Sequence, residues 1–159
     1  MKNRKSTLRI LLDTTFLLPT LGIDVGNEVK DILRRLDEIK VEFYYSKFSI
    51  LESLWIAVRL IKNGSFDKER FNLGLRSIAK SNRYIAIGED HRVYEEALKL
   101  YMLGHRDMID NILYATSLIY DLKLLTMDSK FDEFIRDKGL KNTLLLPGKG
   151  SNFKKFENT

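Results

Sequence analysis

A chain of 159 residues with 44% hydrophobic and 31% charged residues has the balance of a globular domain, enough length for one core, and no signature of disorder. Cysteine is absent, which excludes disulfides, thiolate zinc sites and cysteine nucleophiles, and no apolar run reaches the ~18 residues of a membrane span. The 27 Lys and Arg against 22 Asp and Glu give a formal charge of +5, which favours an anionic partner such as nucleic acid but does not bear on fold.

In chain order, a basic and polar segment, 1–7, lacks the uncharged apolar stretch of a secretory signal, so a cytoplasmic protein is expected. The run "LRILL" predicts a strand over 8–12 that ends at Asp13, followed by a short helix stopped by Pro19 and Gly22. Val29, Ile32, Leu33 and Leu36 recur at helical spacing within 25–39, and 41–45 reads as a second strand. A strongly apolar helix over 47–61 ends at Asn63-Gly64, and an amphipathic helix spans 66–79. A third strand over 84–87 precedes a helix over 91–102 that breaks at Gly104. A helix over 107–120, a strand over 123–127, a helix over 129–138 and a short strand over 143–146 complete the pattern. Strands alternating with helices argue for an α/β fold, a mostly parallel sheet with helices on both faces. From Pro147 the composition turns to Gly, Lys, Asn and Ser, so 1–146 is expected to form the domain and 147–159 a basic, flexible tail.

The carboxylates carry the chemistry. Asp13 closes the first strand and Asp128 follows the fourth, and in open α/β sheets the ligand crevice lies outside the strands' carboxyl ends. Each could equally be a helix N-cap, which stabilises by about 1 kcal/mol. Asp107 reads as a cap with Asp110 in the first turn behind it, where the helix dipole favours negative charge. Asp107, Asp110, Asn111 and Tyr114 share one helix face, opposite Met108, Ile109, Ile112 and Ile119, so one side should pack and the acidic side should turn to solvent or a metal pocket. Glu52 has Phe48, Trp55 and Ile56 as helical neighbours, and a carboxylate in that company needs a cation or a donor. Arg59, two turns on, is the ion-pair alternative to a functional role. Four carboxylates converging at one sheet edge cannot all stay ionised without cations, and hard divalent ions with oxygen ligands, Mg²⁺ or Mn²⁺, are the natural answer. No histidine lies near Asp13, Glu52 or Asp128, which argues against zinc, and His105 reads as a loop residue. Such a site could activate a water and neutralise charge on a phosphodiester.

Three motifs then resemble the PIN domain, and specifically the stand-alone prokaryotic proteins of the VapC toxin type. They are "LLDTTFLL" with Asp13 and Thr15, "SKFSILESLW" with Glu52, and "DMIDNILYATSLIYDLKLLTMDSKF" with Asp110, Ala115-Thr116, Thr126 and Asp128. The third is the most specific, and together they cover nearly the whole of 8–146. The resemblance implies a Rossmann-like three-layer α/β/α sandwich and a Mg²⁺- or Mn²⁺-dependent ribonuclease. Asp13, Glu52, Asp110 and Asp128 would ligate metal, and Thr15 and Thr126 would support the site through their hydroxyls. It further implies an RNA substrate, a possible antitoxin partner and a homodimer. Asn111 departs from the small residue usual after the Asp, Asp107 is a cap first and a site auxiliary second, and the tail adds Lys149, Lys154 and Lys155. A non-catalytic RNA- or protein-binding scaffold and a housekeeping RNA-processing nuclease are the alternatives. A haloacid-dehalogenase phosphatase would need an Asp where Thr15 stands, a receiver domain would need adjacent acids at the first strand end, and no GxGxxG or Walker loop is present.

Overall fold

The computed structural model describes residues 7–148. Leucine and isoleucine alternate between the two faces of the first strand, β1 (Leu8–Leu12), and this period of two decides everything that packs on it. The remaining elements follow as α1 (Thr14–Leu17), α2 (Asn27–Asp37), β2 (Val41–Tyr45), α3 (Lys47–Lys62), α4 (Lys68–Lys80) and β3 (Tyr84–Ala86). After them come α5 (His91–Leu103), α6 (Met108–Ile119), β4 (Lys123–Leu125), α7 (Ser129–Asp137) and β5 (Leu144–Leu145). The strands form one sheet in the order β3-β2-β1-β4-β5, and every neighbouring pair is parallel. The alternation expected from sequence is therefore a wholly parallel sheet among the described residues.

Helices cover both faces, as a three-layer α/β/α sandwich requires. Ile10 and Leu12 of β1, with Phe43, Leu125 and Leu145, point to the side where α1, α2 and α4 bring Phe16, Ile32, Leu36, Phe71 and Ile78. Leu11, Leu124 and Leu144 point to the other, where Leu100, Leu113, Tyr114, Phe131 and Ile135 of α5, α6 and α7 meet them. Because β1 is central and the strand order reverses between β1 and β4, the carboxyl ends of these two strands flank the switch point of the sheet.

Boundaries differ from the sequence reading where local chemistry overrides periodicity. Helix α2 starts at Asn27, because Gly26 holds a left-handed φ of 89° that no helical residue adopts. Asp67 and Asp107 sit outside their helices as N-caps, accepting from backbone amides at 3.0 Å or slightly more. Strand β4 ends two residues early, although the Thr126 amide still donates to the Leu145 carbonyl at 3.2 Å. The expected one-sided packing of α6 does not hold. Residues 111–117 are all buried, because the helix is pressed between the sheet, through Leu113 and Tyr114, and α5, through Ile112 and Ala115. No described helix is long and apolar enough to cross a membrane. Lys149, Lys154 and Lys155 of the expected tail lie outside the described residues.

Helix α4 is brought against the turn after α1 by a missing side chain. A Cβ on Gly74 would stand 2.2 Å from the Thr20 carbonyl oxygen and 2.7 Å from Leu21 Cα, both backbone atoms that cannot swing aside. A mid-helix glycine exchanged for alanine ordinarily gains up to about 1 kcal/mol. Here the sign reverses: Gly74→Ala is expected to destabilise by about 1–3 kcal/mol in urea unfolding, the cost of overpacking. Gly88→Ala, whose added Cβ would meet only the Tyr120 hydroxyl at 3.9 Å, should leave the midpoint nearly unchanged. Equal midpoints for Gly74→Ala and the parent would refute the contact.

Candidate active site

Two strand ends are stitched together across the switch point by one hydroxyl. The Asp13 amide donates to the Leu125 carbonyl at 3.1 Å, which seats the end of β1 beside β4. Thr126 Oγ1 donates to Asp13 Oδ2 at 3.0 Å and accepts from the Asp128 amide at 3.1 Å. Both carboxylates are also helix caps. Asp13 Oδ1 accepts from the Thr14 amide at 2.6 Å, and Asp128 Oδ1 accepts from the Phe131 amide at 3.0 Å. The capping and functional readings thus coexist, because each cap engages one oxygen of its carboxylate.

Two further acids reach the same edge from helices. Glu52, half-buried on α3, accepts the Thr14 hydroxyl at 2.6 Å through Oε2. Asp110 lies in the first turn of α6, behind the Asp107 cap whose Oδ1 accepts from the Ile109 and Asp110 amides at 3.0 and 3.1 Å. Burial drives the Asp110 carboxyl up to about 8, and the charges of Asp107, Asp13, Asp128 and Glu52 push it the same way. Burial likewise lifts Asp13 to about 6, with Glu52 and Asp128 adding to it, against the hydrogen bonds from Thr126 and Thr14 that favour its charge. Asp110 and Asp13 respond to the same neighbours, so the four sequence-selected acids stand within electrostatic reach of one another.

Among the described residues no Lys or Arg forms an ion pair with Asp13, Glu52, Asp110 or Asp128. Nor do three of the described carboxylate or imidazole groups close on one point as a ready-made ion cage. The donor chemistry nevertheless fits a hard divalent cation. Every available donor is a carboxylate or hydroxyl oxygen, and such an ion would relieve both the burial and the repulsion that raise Asp13 and Asp110. Asp13, Glu52, Asp110 and Asp128 are the residues that could hold it.

Several expectations change in detail. The hydroxyl that reaches the cluster from α1 is Thr14, fully inside the fold, while half-buried Thr15 makes no hydrogen bond to the four acids among the described residues. Thr14 was detectable only as the neighbour of a strand-end Asp in a Thr-Thr pair, and periodicity cannot choose between the two. Glu52 is compensated by that hydroxyl and not by Arg59, and its neighbour Trp55 is 53% exposed. Asn111 is turned away from solvent to bolt the preceding loop: its amide donates to the His105 carbonyl at 3.0 Å, and its Oδ1 meets His105 Nδ1 at 2.7 Å. A cavity of about 270 Å³ between α3, α5 and α6 is lined by Phe48, Leu51, Tyr94 and Ile112 among others, and by none of the four acids.

Both carboxyls are shifted upward from 3.8, so the folded state binds more protons than the unfolded chain across that interval. Their contribution to stability is therefore full below the ordinary carboxylate value and is lost as pH rises through about 6 for Asp13 and about 8 for Asp110. The chelated protein should melt several degrees lower at about pH 9 than at about pH 5. Asp110→Asn should recover much of the difference, and Mn²⁺ should raise the melting temperature more at the higher pH. A melting temperature that is flat with pH and unmoved by Asp110→Asn would refute the coupling.

A family model described as PIN domain matches residues 10–136. Comparison with curated proteins finds no match. Among solved structures the fold is similar to a toxin–antitoxin complex from Klebsiella pneumoniae, at 18% identity and TM-score 0.54, over 87% of this chain and 98% of that one. It is also similar to VapBC-1 from nontypeable Haemophilus influenzae, at 17% identity and TM-score 0.56, over 86% and 98%. FitAcB from Neisseria gonorrhoeae is similar at 19% identity and TM-score 0.51, over 76% and 88%. At such identities these likenesses speak of fold, and they agree with the parallel sheet, its helical layers and the family match: the chain belongs to the PIN-domain family.

Proposed function

We propose that this chain is a divalent-metal-dependent endoribonuclease, hydrolysing RNA phosphodiester bonds, and the toxin of a toxin–antitoxin pair. The observation that carries the reading is the meeting of Asp13, Glu52, Asp110 and Asp128, from four separate elements, at one sheet edge without a pairing Lys or Arg among the described residues. A scaffold would bear that repulsion with nothing to offset it, whereas a nuclease uses it to attract Mg²⁺ or Mn²⁺. Membership of a family whose proteins are generally nucleases supports hydrolysis. RNA as the polymer follows from the resemblance of the Asp110–Asp128 motif to VapC proteins. The toxin role is favoured over a housekeeping nuclease by a solved neighbour named as a toxin–antitoxin complex.

The four acids would hold the ion, which when bound supplies an activated water and neutralises charge on the phosphodiester. The protein's own part is orientation. Thr126 holds one oxygen of Asp13 and the backbone of Asp128 in fixed register, and Thr14 aims Glu52 inward. Burial and the neighbouring carboxylates raise the Asp110 carboxyl to about 8, so it would have to give up its proton to hold the ion. Purified protein should therefore cleave total RNA with Mn²⁺ and not with chelator, and mapped new ends should vanish in Asp110→Asn. Thr126→Val should lower cleavage by roughly 10- to 100-fold, as loss of a ligand-orienting hydrogen bond does. Metal-independent ends, or ends retained in Asp110→Asn, would reject the reading.

We also assign a homodimer to the outer face of α3. Leu51, Leu54, Trp55, Val58 and Ile61 recur at helical spacing on that face, each at least 40% exposed, a patch that costs free energy in water. Sedimentation should give twice the 18.6 kDa chain mass, and Trp55→Glu should return it to the monomer value. A parent that sediments as a monomer would reject the dimer and leave the face to an antitoxin.

A further inference from the structure

Arg106 lies in the loop between α5 and α6, the helix that carries Asp110. Arg34, Arg92 and Arg136 each pair with a neighbouring Asp at 2.6–2.7 Å. Arg106 precedes Asp107 directly and lies one turn before Asp110, yet among the described residues it forms no ion pair. Its guanidinium instead stacks over the exposed ring of Tyr101, 4.7 Å from the centroid.

The backbone under Arg106 is fixed from both sides. On one side His105 is bonded to Asn111 and stacks on Phe131 of α7 with ring centroids 4.4 Å apart. On the other side Asp107 caps α6. The residue is therefore held between the starts of α6 and α7, the helices that carry Asp110 and Asp128. An acidic pocket repels a polyanion, and a nucleic acid that enters it needs a positive contact beyond the pocket. A guanidinium held over an aromatic ring is restrained without using its N–H donors, and its planar fork suits two oxygens of a phosphate.

We propose that Arg106, its guanidinium over the Tyr101 ring and its backbone one turn before Asp110, is the positioning residue that anchors a backbone phosphate of single-stranded RNA next to the bond to be cut. This inference rests on the nuclease reading of the same site. It assigns to Tyr101 the task of holding the guanidinium in place and to Arg106 the charge.

The test uses the Asp110→Asn protein, so that bound RNA stays intact, and a fluorescein-labelled mixed-sequence single-stranded RNA read by anisotropy in Mg²⁺ over a salt series. Arg106→Ala added to this parent should weaken binding roughly tenfold and reduce the slope of log affinity against log salt by about 1. Arg106→Lys should keep the slope and recover only part of the affinity, because a flexible ammonium retains the charge and loses the stack. Tyr101→Leu should behave like Arg106→Lys. Unchanged melting temperatures in all three would show that the fold is intact, and a change in salt slope is a readout that a purely structural residue does not move. A parent that binds RNA while Arg106→Ala binds it equally with the same slope overturns the anchor alone, and leaves Arg106 to a carboxylate of a protein partner. A parent that binds no RNA overturns the anchor and the nuclease reading together.

Discussion

Like charges brought to one edge of a parallel sheet are the constraint on which the rest of this molecule depends. Parallel strands end on the same side, so the residues after β1 and β4 become neighbours whatever their charge. Asp13 directly follows β1, Asp128 lies three residues beyond β4, and two helices add Glu52 and Asp110. The fold accommodates this by giving most of the acids a hydrogen-bond donor. Asp13 accepts from an amide and from Thr126, Glu52 accepts from Thr14, and Asp128 accepts from the Phe131 amide. Asp110 has no hydrogen bond among the causes that move it, and it is the group pushed furthest. The raised carboxyls therefore cost the fold stability as they ionise.

Rigidity around the cluster comes from α6. Its residues 111–117 are buried against the sheet and α5, so Asp110 extends from a helix with little freedom to tilt. The loop before it is tied by Asn111 to His105, and His105 in turn packs on Phe131 and Phe134 of α7. One polar side chain thereby locks the starts of two acid-bearing helices to each other. The residue that departs from the small one usual at this position closes a structural joint, and the cost of burying its amide is met by two hydrogen bonds.

Helix α3 carries both Glu52 and an exposed apolar face. Its inward stripe, Ser49, Ser53 and Ala57, is small enough to let the helix approach closely, and Ser53 Oγ donates back to the Ser49 carbonyl at 2.7 Å. Its outward stripe runs through Leu51, Trp55 and Val58. Glu52 stands between the two, so a partner covering the outer face would sit beside a residue of the cluster. Exclusion of water there would strengthen every charge interaction at the edge.

Much of this was legible in residues alone, for a local reason. A strand's period of two and a helix's period of 3.6 are written in side-chain order, and caps, glycine stops and strand-end acids are decided within four or five residues. The element order, the α/β class, Asp13 at the end of the first strand and Asp107 as a cap all follow from such short-range patterns. Tertiary structure alone decided which of two adjacent threonines meets Glu52, that a hydroxyl and not Arg59 compensates it, and that α6 is buried on both sides. It alone made Asn111 a joint and set how far Asp110 and Asp13 are shifted. Those outcomes depend on distances between segments far apart in the chain, 38 residues for Thr14 and Glu52 and 113 for Thr126 and Asp13. No periodicity encodes such distances, because they are set by how the helices cross the sheet.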